Sequence, residues 1–249
     1  MYCMKIKAII CEALHREFCL AAAYTSNVVD MTVMNFGLHN TPDALRDAIQ
    51  KEINSVEDTD HEFIVLGYGL CSRGTADVEA KSKPLVMPRA HDCITILLGA
   101  RSRYDAEFLG NPGTYYYSSG WIERKDGESD QGNLNDVWER HYVDKLTEYV
   151  EKYGEDNAEF LLEQEKMWLA NYNRAAFIDL GLGDVSQYRQ FVSGLAGDRG
   201  WEYAEIEGDL SLVNRLLSGR WDDDPDLLVV QPGRRIVESF DPDILRCAE

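Results

Sequence analysis

The sequence has no long apolar run and comparatively few positive charges. No stretch reaches the roughly 20 apolar residues that a membrane-spanning helix needs. Lysine and arginine number 25 against 44 aspartates and glutamates, which gives a formal charge of −19. Because such a field repels phosphate backbones and anionic lipid surfaces, we expect neither nucleic acid nor a membrane as a partner.

Cysteine is also scarce, with six residues in a chain of 249. That is too few for a disulfide scaffold, so we expect reduced thiols. The first residues, MYCMKIKAIIC, form only a brief apolar run before Glu12, which predicts a strand rather than a signal peptide. We therefore expect a soluble, cytoplasmic protein.

Short apolar runs alternate with helical segments along the chain. Alternating strands and helices predict parallel sheets joined by right-handed crossovers. The predicted strands are Lys5–Cys11, one within Val28–Phe36, Phe63–Gly67, Pro84–Met87, 114–122, Ala175–Leu180, Tyr203–Ile206 and Leu227–Val230. The predicted fold is an α/β fold of two Rossmann-like lobes, residues 1–115 and 116–249, with a cleft between them. A single continuous sheet is the alternative.

Six side chains capable of binding metal or reacting follow the four predicted strands of the first lobe. In chain order they are Cys11, His39, Cys71, His91, Asp92 and Cys93. The carboxyl ends of parallel strands share one edge of a sheet, and neighbouring strands lie about 4.8 Å apart. Side chains from adjacent loops can therefore reach one ion.

Two thiols and one imidazole, from Cys71, His91 and Cys93, are ligands that suit zinc or iron. If these three alone bind the ion, one coordination position stays open, as in a catalytic zinc site. If His39 or Cys11 completes the shell, the site is structural. A cluster held by Cys11, Cys71 and Cys93 is a further alternative. The competing interpretation makes the two cysteines ordinary buried core residues and His91 a hydrogen-bonded loop residue.

The glycine-rich segment 67–74 (GYGLCSRG) predicts a strand-to-helix loop that presents backbone N–H groups to a negative group. It matches neither the P-loop nor the dinucleotide-binding fingerprint, so no nucleotide is expected. We expect Gly69 of this loop, together with Arg73 and Arg89, to contact a ligand.

Asp92 is a predicted helix N-cap, and the helix starts at Cys93. The helix dipole should then lower the pKa of the Cys93 thiol. This makes Cys93 and Asp92 the candidate catalytic residues of a metal-free thiol enzyme, which is an alternative to metal binding.

An aromatic segment follows the first lobe, in the sequence TYYYSSGWI. Tyr115, Tyr116, Tyr117 and Trp121 either wall a ligand cleft at the lobe junction or pack as ordinary strand residues. The sequence leaves both interpretations open.

The segments YGLCSRGT, LVMPRAHDCITILLGARSRY, PGTYYYSSGWIE and LLVVQPG together resemble a prokaryotic family known as domain of unknown function 1638. The matching positions run from residue 11 to about residue 233. The resemblance implies that the family's characteristic positions fall on Cys71, His91, Asp92 and Cys93, with further matches at His39 and Cys11. This chain has Ser72 and Arg73 where many members have Gly-Asn.

The resemblance also implies that this protein, like members of the family, occurs beside corrinoid-dependent methyltransferases. That association implies a role in methyl transfer or corrinoid handling. We expect a metal-binding protein whose partner is a small-molecule ligand or a corrinoid or methyltransferase protein. A non-catalytic accessory module for such a partner is the alternative. The sequence lacks the Asp-x-His-x-x-Gly run of base-off corrinoid binding, which counts against direct cobamide ligation.

Overall fold

The computed structural model describes residues 3–123, 146–147, 149–169 and 171–248. Its strands are β1 (Lys5–Cys11), β2 (Val28–Met34), β3 (Phe63–Gly67), β4 (Leu85–Pro88), β5 (Thr114–Ser118), β6 (Arg174–Asp179), β7 (Glu202–Glu207), β8 (Leu227–Val230), β9 (Arg235–Glu238) and β10 (Leu245–Ala248). Its helices are α1 (His15–Tyr24), α2 (Pro42–Ser55), α3 (Cys93–Leu98), α4 (Arg101–Gly110), α5 (Ser119–Glu123), α6 (Glu155–Leu169), α7 (Ser186–Arg199) and α8 (Ser211–Leu216). Two 3-10 turns cover Glu12–Leu14 and Phe36–Asn40.

The first sheet has the strand order β2-β1-β3-β4-β8. Strands β1 to β4 run parallel, and β8 pairs antiparallel with β4. Alternate residues of β1 enter two different cores, because successive side chains of a strand point to opposite faces. Ile6 and Ile10 pack with Phe18 of α1 on one face, whereas Ile9 packs with Ile49 of α2 on the other.

A second, three-stranded sheet has the order β5-β6-β7, and all its strands are parallel. Helix α7 covers it through Val192 and Leu195, which pack on Phe177 of β6. The predicted α/β class with parallel sheets is confirmed. The alternative of a single continuous sheet is wrong for the described strands, which form separate sheets.

The chain returns to the first sheet after completing the second. Strand β8 (LLVV) is almost wholly buried and covers the edge of β4, with Val86 paired to Val229. Strands β9 and β10 then form an antiparallel hairpin that the sequence did not predict. Strand β8 thus lies in the sheet of the predicted first lobe, although it falls within residues 116–249. The division of the chain at residue 115 stays a prediction.

The sequence predicts that the helix starting at Cys93 continues to about Ser102, but the structure interrupts it. Gly99 has a positive φ of 82°, so α3 ends there and α4 begins at Arg101. A β-carbon at Gly99 would lie 2.7 Å from Cβ of Asp209, which explains why a glycine stands at this close approach. The sequence also predicts a surface loop at 125–133 and a helix at 134–153; the loop and most of this helix lie outside the described residues. In the described part of the chain, no helix is both long and apolar enough to cross a membrane.

Candidate functional site

A cavity of about 780 Å³ opens at the carboxyl ends of β1, β3 and β4, where the first sheet meets β5 and α5. All six side chains singled out at the predicted strand ends line it: Cys11, His39, Cys71, His91, Asp92 and Cys93. Half of the remaining lining residues are aromatic, namely Phe36, Tyr68, Tyr104, Phe108, Tyr115, Tyr116, Trp121 and Tyr172. Thiols and imidazoles therefore share one enclosure with a set of aromatic rings.

Backbone hydrogen bonds hold the loop after β3 against the loop after β4. The N–H of Leu70 donates to the Ala90 carbonyl at 2.8 Å, and the N–H of Cys71 donates to the His91 carbonyl at 2.9 Å. A β-carbon at Gly69 would lie 2.7 Å from the Asp92 nitrogen. Gly69 therefore permits the approach that brings the two thiol-bearing loops together, although Gly69 itself is not part of the cavity lining.

The loop after β3 contains three consecutive non-glycine residues with positive φ, namely Cys71 (47°), Ser72 (54°) and Arg73 (72°). The left-handed conformation costs such residues roughly 1–2 kcal/mol each. The N–H of Gly74 donates to the Cys71 carbonyl at 2.9 Å, and the Thr75 hydroxyl donates to the Gly69 carbonyl at 2.9 Å. Strain held in place by such bonds is commonly found at functional sites.

The three thiols at the cavity are poorly ionised. Burial raises the pKa of Cys11 to about 11 and the pKa of Cys71 to about 12. Burial also raises the pKa of Cys93 well above its ordinary value, and negative charge on Asp92, Cys71 and Cys11 raises it further. The expectation that the helix dipole lowers the Cys93 pKa is wrong, because α3 is only six residues long and the loss of water around the thiol outweighs the dipole.

Asp92 is the N-cap of α3, as predicted. Its side chain accepts a hydrogen bond from the N–H of Ile94 at 2.9 Å. Burial raises the pKa of this carboxyl, and the bond from Ile94 opposes that rise. Asp92 is thus both a structural cap and the carboxyl group of the cavity lining.

The two imidazoles occupy different parts of the cavity. His39 is held in its 3-10 turn by a hydrogen bond between Nδ1 and the Phe36 carbonyl, and its ring lies 4.4 Å from the Phe36 ring. The His91 ring lies 6.3 Å from that of Tyr104. Among the described residues, no three His, Cys, Asp or Glu side chains stand in positions to hold a metal ion. The predicted ligand set therefore stays a prediction.

The two arginines expected to contact a ligand do not line the cavity. Arg89 donates from Nε to the Leu227 carbonyl of β8 at 3.2 Å and from Nη1 to the Leu245 carbonyl of β10, so it links β10 to the first sheet. Arg73 forms an ion pair with Glu238. Both guanidinium groups therefore interact with the carboxyl-terminal strands of the chain.

A family model described as "Protein of unknown function (DUF1638)" matches residues 33–217, which is most of the chain. The chain belongs to this family. The match begins after β1, so Cys11 lies outside it, while His39, Cys71, His91 and Cys93 lie inside. The matched region is thus shorter than the span of the resemblance seen in the sequence. No curated protein and no solved structure matches the chain.

Sequence reasoning missed several cavity residues of this DUF1638 chain. Tyr68 is 2% exposed, and its hydroxyl forms no hydrogen bond with any described residue. It lines the same cavity as Cys11 and Cys71, and burial together with the charges of those thiols raises its pKa. The sequence feature that could have identified Tyr68 is its position directly after Gly67, the last residue of β3, in the predicted site loop.

The aromatic side of the cavity was foreseen in part. Tyr115, Tyr116 and Trp121 line the cavity, whereas Tyr117 is buried in the core of the second sheet. Tyr115 and Tyr117 lie on the same face of β5, with ring centroids 5.1 Å apart, and Tyr115 both lines the cavity and packs against that core. Tyr104 and Phe108 of α4, and Tyr172 after α6, were missed because no local pattern shows which helix and loop residues face a cavity.

Proposed function

We propose that this chain binds a zinc or iron ion through its buried thiols, at one end of a cavity that also admits a small organic molecule. The supporting observation is the convergence on one cavity of Cys11 from β1, Cys71 from the loop after β3 and Cys93 from the start of α3. Thiolate ligands from separate strand ends are typical of protein sites for soft metals.

The electrostatics of the three thiols support a cation. Each thiol has a raised pKa, so thiolates at this place are costly without a compensating positive charge. The negative charges of Cys71 and Cys11 are among the causes that raise the pKa of Cys93. A divalent ion offsets both the burial of the thiolates and the repulsion between their charges, because a coordinating thiol is deprotonated by the metal itself.

The proposal requires the side chains to turn, because as they stand no three described ligands surround a common point. Cysteine has a single side-chain torsion with three staggered positions, so rotation about it redirects the sulfur without moving the backbone. Cys71 and Cys93 are the central ligands, and Cys11 and His91 complete the set. His39 is the alternative ligand, because its Nδ1 already forms a hydrogen bond with the Phe36 carbonyl.

The lobe arrangement is part of the proposal. Two parallel sheets with helices beside them support two Rossmann-like lobes, and the cavity between the first sheet and β5 supports a cleft. A cavity of about 780 Å³ has the size of a small-molecule site, which favours a ligand smaller than a whole corrinoid.

Methyl transfer linked to a corrinoid protein is proposed from the family resemblance alone. A metal held by thiolates lowers the pKa of a bound water or thiol, and methyl transfer to a thiol is compatible with that chemistry. An accessory module that binds metal and partner without turnover is the second candidate. The two are separated by a turnover assay with a methylated corrinoid protein and a thiol acceptor.

A metal-free cysteine enzyme is less well supported. Its nucleophile Cys93 needs a lowered pKa, whereas burial and the charge of Asp92 raise it. Fast, selective alkylation of Cys93 by iodoacetamide near pH 6 would revive this candidate. We expect slow labelling at that pH.

The decisive test is elemental analysis of protein produced in medium supplemented with zinc and iron. We expect bound metal in the unchanged chain, loss of the metal in Cys71→Ser and Cys93→Ser, and retention in the matched control Cys3→Ser, whose thiol is exposed and bonds to the Ser26 carbonyl. Cobalt substitution should give thiolate charge-transfer absorption. Metal-free protein, or metal retained by both site variants, would contradict the proposal.

A further inference from the structure

The aromatic residues of the cavity form two walls. On one side, the rings of Tyr104 and Phe108 in α4 are stacked, with centroids 5.9 Å apart and an interplanar angle of 9°. The second wall contains Tyr115, whose ring is 5.2 Å from Tyr172 at 68° and 6.1 Å from Trp121 at 77°. Rings set nearly at right angles form a corner, so the ring faces of this group point in more than one direction.

The charges around this enclosure favour a cation. Among the described lining residues there is a carboxyl group, that of Asp92, and there is no lysine or arginine. Arg174 lies close by, but it bonds to Glu107 and to the Thr114 hydroxyl. Arg199 lies over the Trp201 ring at 5.1 Å. The chain as a whole carries −19, and the described lining offers an anionic ligand the imidazoles of His39 and His91 but no lysine or arginine side chain.

We propose that the aromatic half of the cavity binds a small organic cation of the quaternary ammonium class. The negative faces of aromatic rings attract a diffuse positive charge, and such ligands are held in aromatic enclosures. Methyl groups on the nitrogen also fill space against apolar rings and lower the cost of leaving water. This inference rests on the rings and on the charges, and it does not depend on a bound metal.

The test compares two probes of the same shape, choline and its uncharged isostere 3,3-dimethylbutan-1-ol. Titration calorimetry is carried out with chelator-treated protein, so failure of the metal proposal does not affect the result. We expect choline to bind roughly tenfold more tightly, as one desolvated cation–ring interaction supplies. Equal or tighter binding of the alcohol, or binding of neither probe at millimolar concentration, would overturn the proposal.

Variants identify the site. Tyr104→Leu removes a ring from one wall and should weaken choline binding by roughly tenfold, whereas Tyr104→Phe keeps the ring and should retain binding. Phe240→Leu is the control, since this ring is 95% exposed and is not part of the lining. Trp121→Leu tests the second wall and serves where Tyr104→Leu does not fold by circular dichroism. Equal loss in Tyr104→Phe and Tyr104→Leu, or unchanged binding in a folded Leu variant, would overturn the proposal.

Discussion

The thiol end and the aromatic end of the cavity are built in different ways. The thiol end comes from strand ends and loops of one sheet, locked by backbone bonds such as that from Cys71 to His91 at 2.9 Å. The aromatic end is assembled from Phe36, Tyr104, Trp121 and Tyr172, which belong to separate turns, helices and loops. The first region therefore depends on backbone geometry and the second on the packing of two sheets against each other. Substitutions can break either dependence separately.

The largest effect is expected at the junction of the two sheets. Glu17 of α1 is 2% exposed, one of its carboxylate oxygens has no hydrogen-bond partner in the described part of the chain, and burial raises its pKa to about 7. Because the pKa of Glu17 is higher in the folded state, the protonated carboxyl contributes to the free energy of unfolding in full below the unfolded pKa of 4.5. This contribution is lost as the pH rises through 7. We expect the free energy of unfolding to fall by about 3 kcal/mol across that window.

Urea denaturation between pH 4 and pH 8 measures this loss. Glu17→Gln should remove most of the pH dependence, while Glu159→Gln, an exposed residue of α6, should leave it unchanged. A Gln variant with the same pH profile as the unchanged chain would show that Glu17 is not the group responsible.

The next largest effect is expected at Gly69, where the two thiol-bearing loops touch. An alanine β-carbon would lie 2.7 Å from the Asp92 nitrogen and 2.8 Å from the Ala90 carbonyl oxygen. Gly69→Ala should therefore cost about 2 kcal/mol in urea denaturation and weaken any metal binding.

Gly194→Ala is the matched control, because no described atom lies within 4 Å of its β-carbon and it stands in helix α7. The control should be neutral or stabilising. Equal stability of both variants would contradict the close approach.

A smaller effect is expected at Tyr68. Its buried hydroxyl has no hydrogen-bond partner among the residues that the structure describes, so Tyr68→Phe removes an unsatisfied polar group and should stabilise the ligand-free protein by about 1 kcal/mol. Thermal denaturation measures the change. A destabilised Phe variant would mean that the hydroxyl has a bonding partner in solution.

The smallest effect is expected for the ion pair that links the sheets at the surface. Arg16 of α1 donates to Glu123 of α5 through Nε at 2.9 Å and Nη2 at 2.6 Å, and Arg16 is about half exposed. Exposed pairs contribute little, so Arg16→Ala should cost below about 1 kcal/mol and less in high salt. A loss as large as that at Gly69 would show that the joint between the sheets depends on this pair.

Much of the fold was predictable because it depends on local patterns. Strands β1, β3 and β8 have the predicted limits, since each is a short apolar run with turn residues beside it. The break at Gly99 and the return of β8 to the first sheet were not predictable in this way. Position 99 is a glycine because Asp209 approaches it closely, and β8 returns to the first sheet because it pairs with the open edge of β4. Both causes lie more than one hundred residues away in the chain.

The site divides along the same line. The sequence by itself determined that Cys11, His39, Cys71 and the His91–Cys93 segment stand at one edge of a parallel sheet, because strand direction carries loop residues to a shared end. Only the tertiary structure decided how acidic the thiols are, since burial raises their pKa values against the dipole of α3. It also decided which rings face the cavity and that Arg73 and Arg89 do not. Desolvation and side-chain packing depend on everything that surrounds a group, which no local segment specifies.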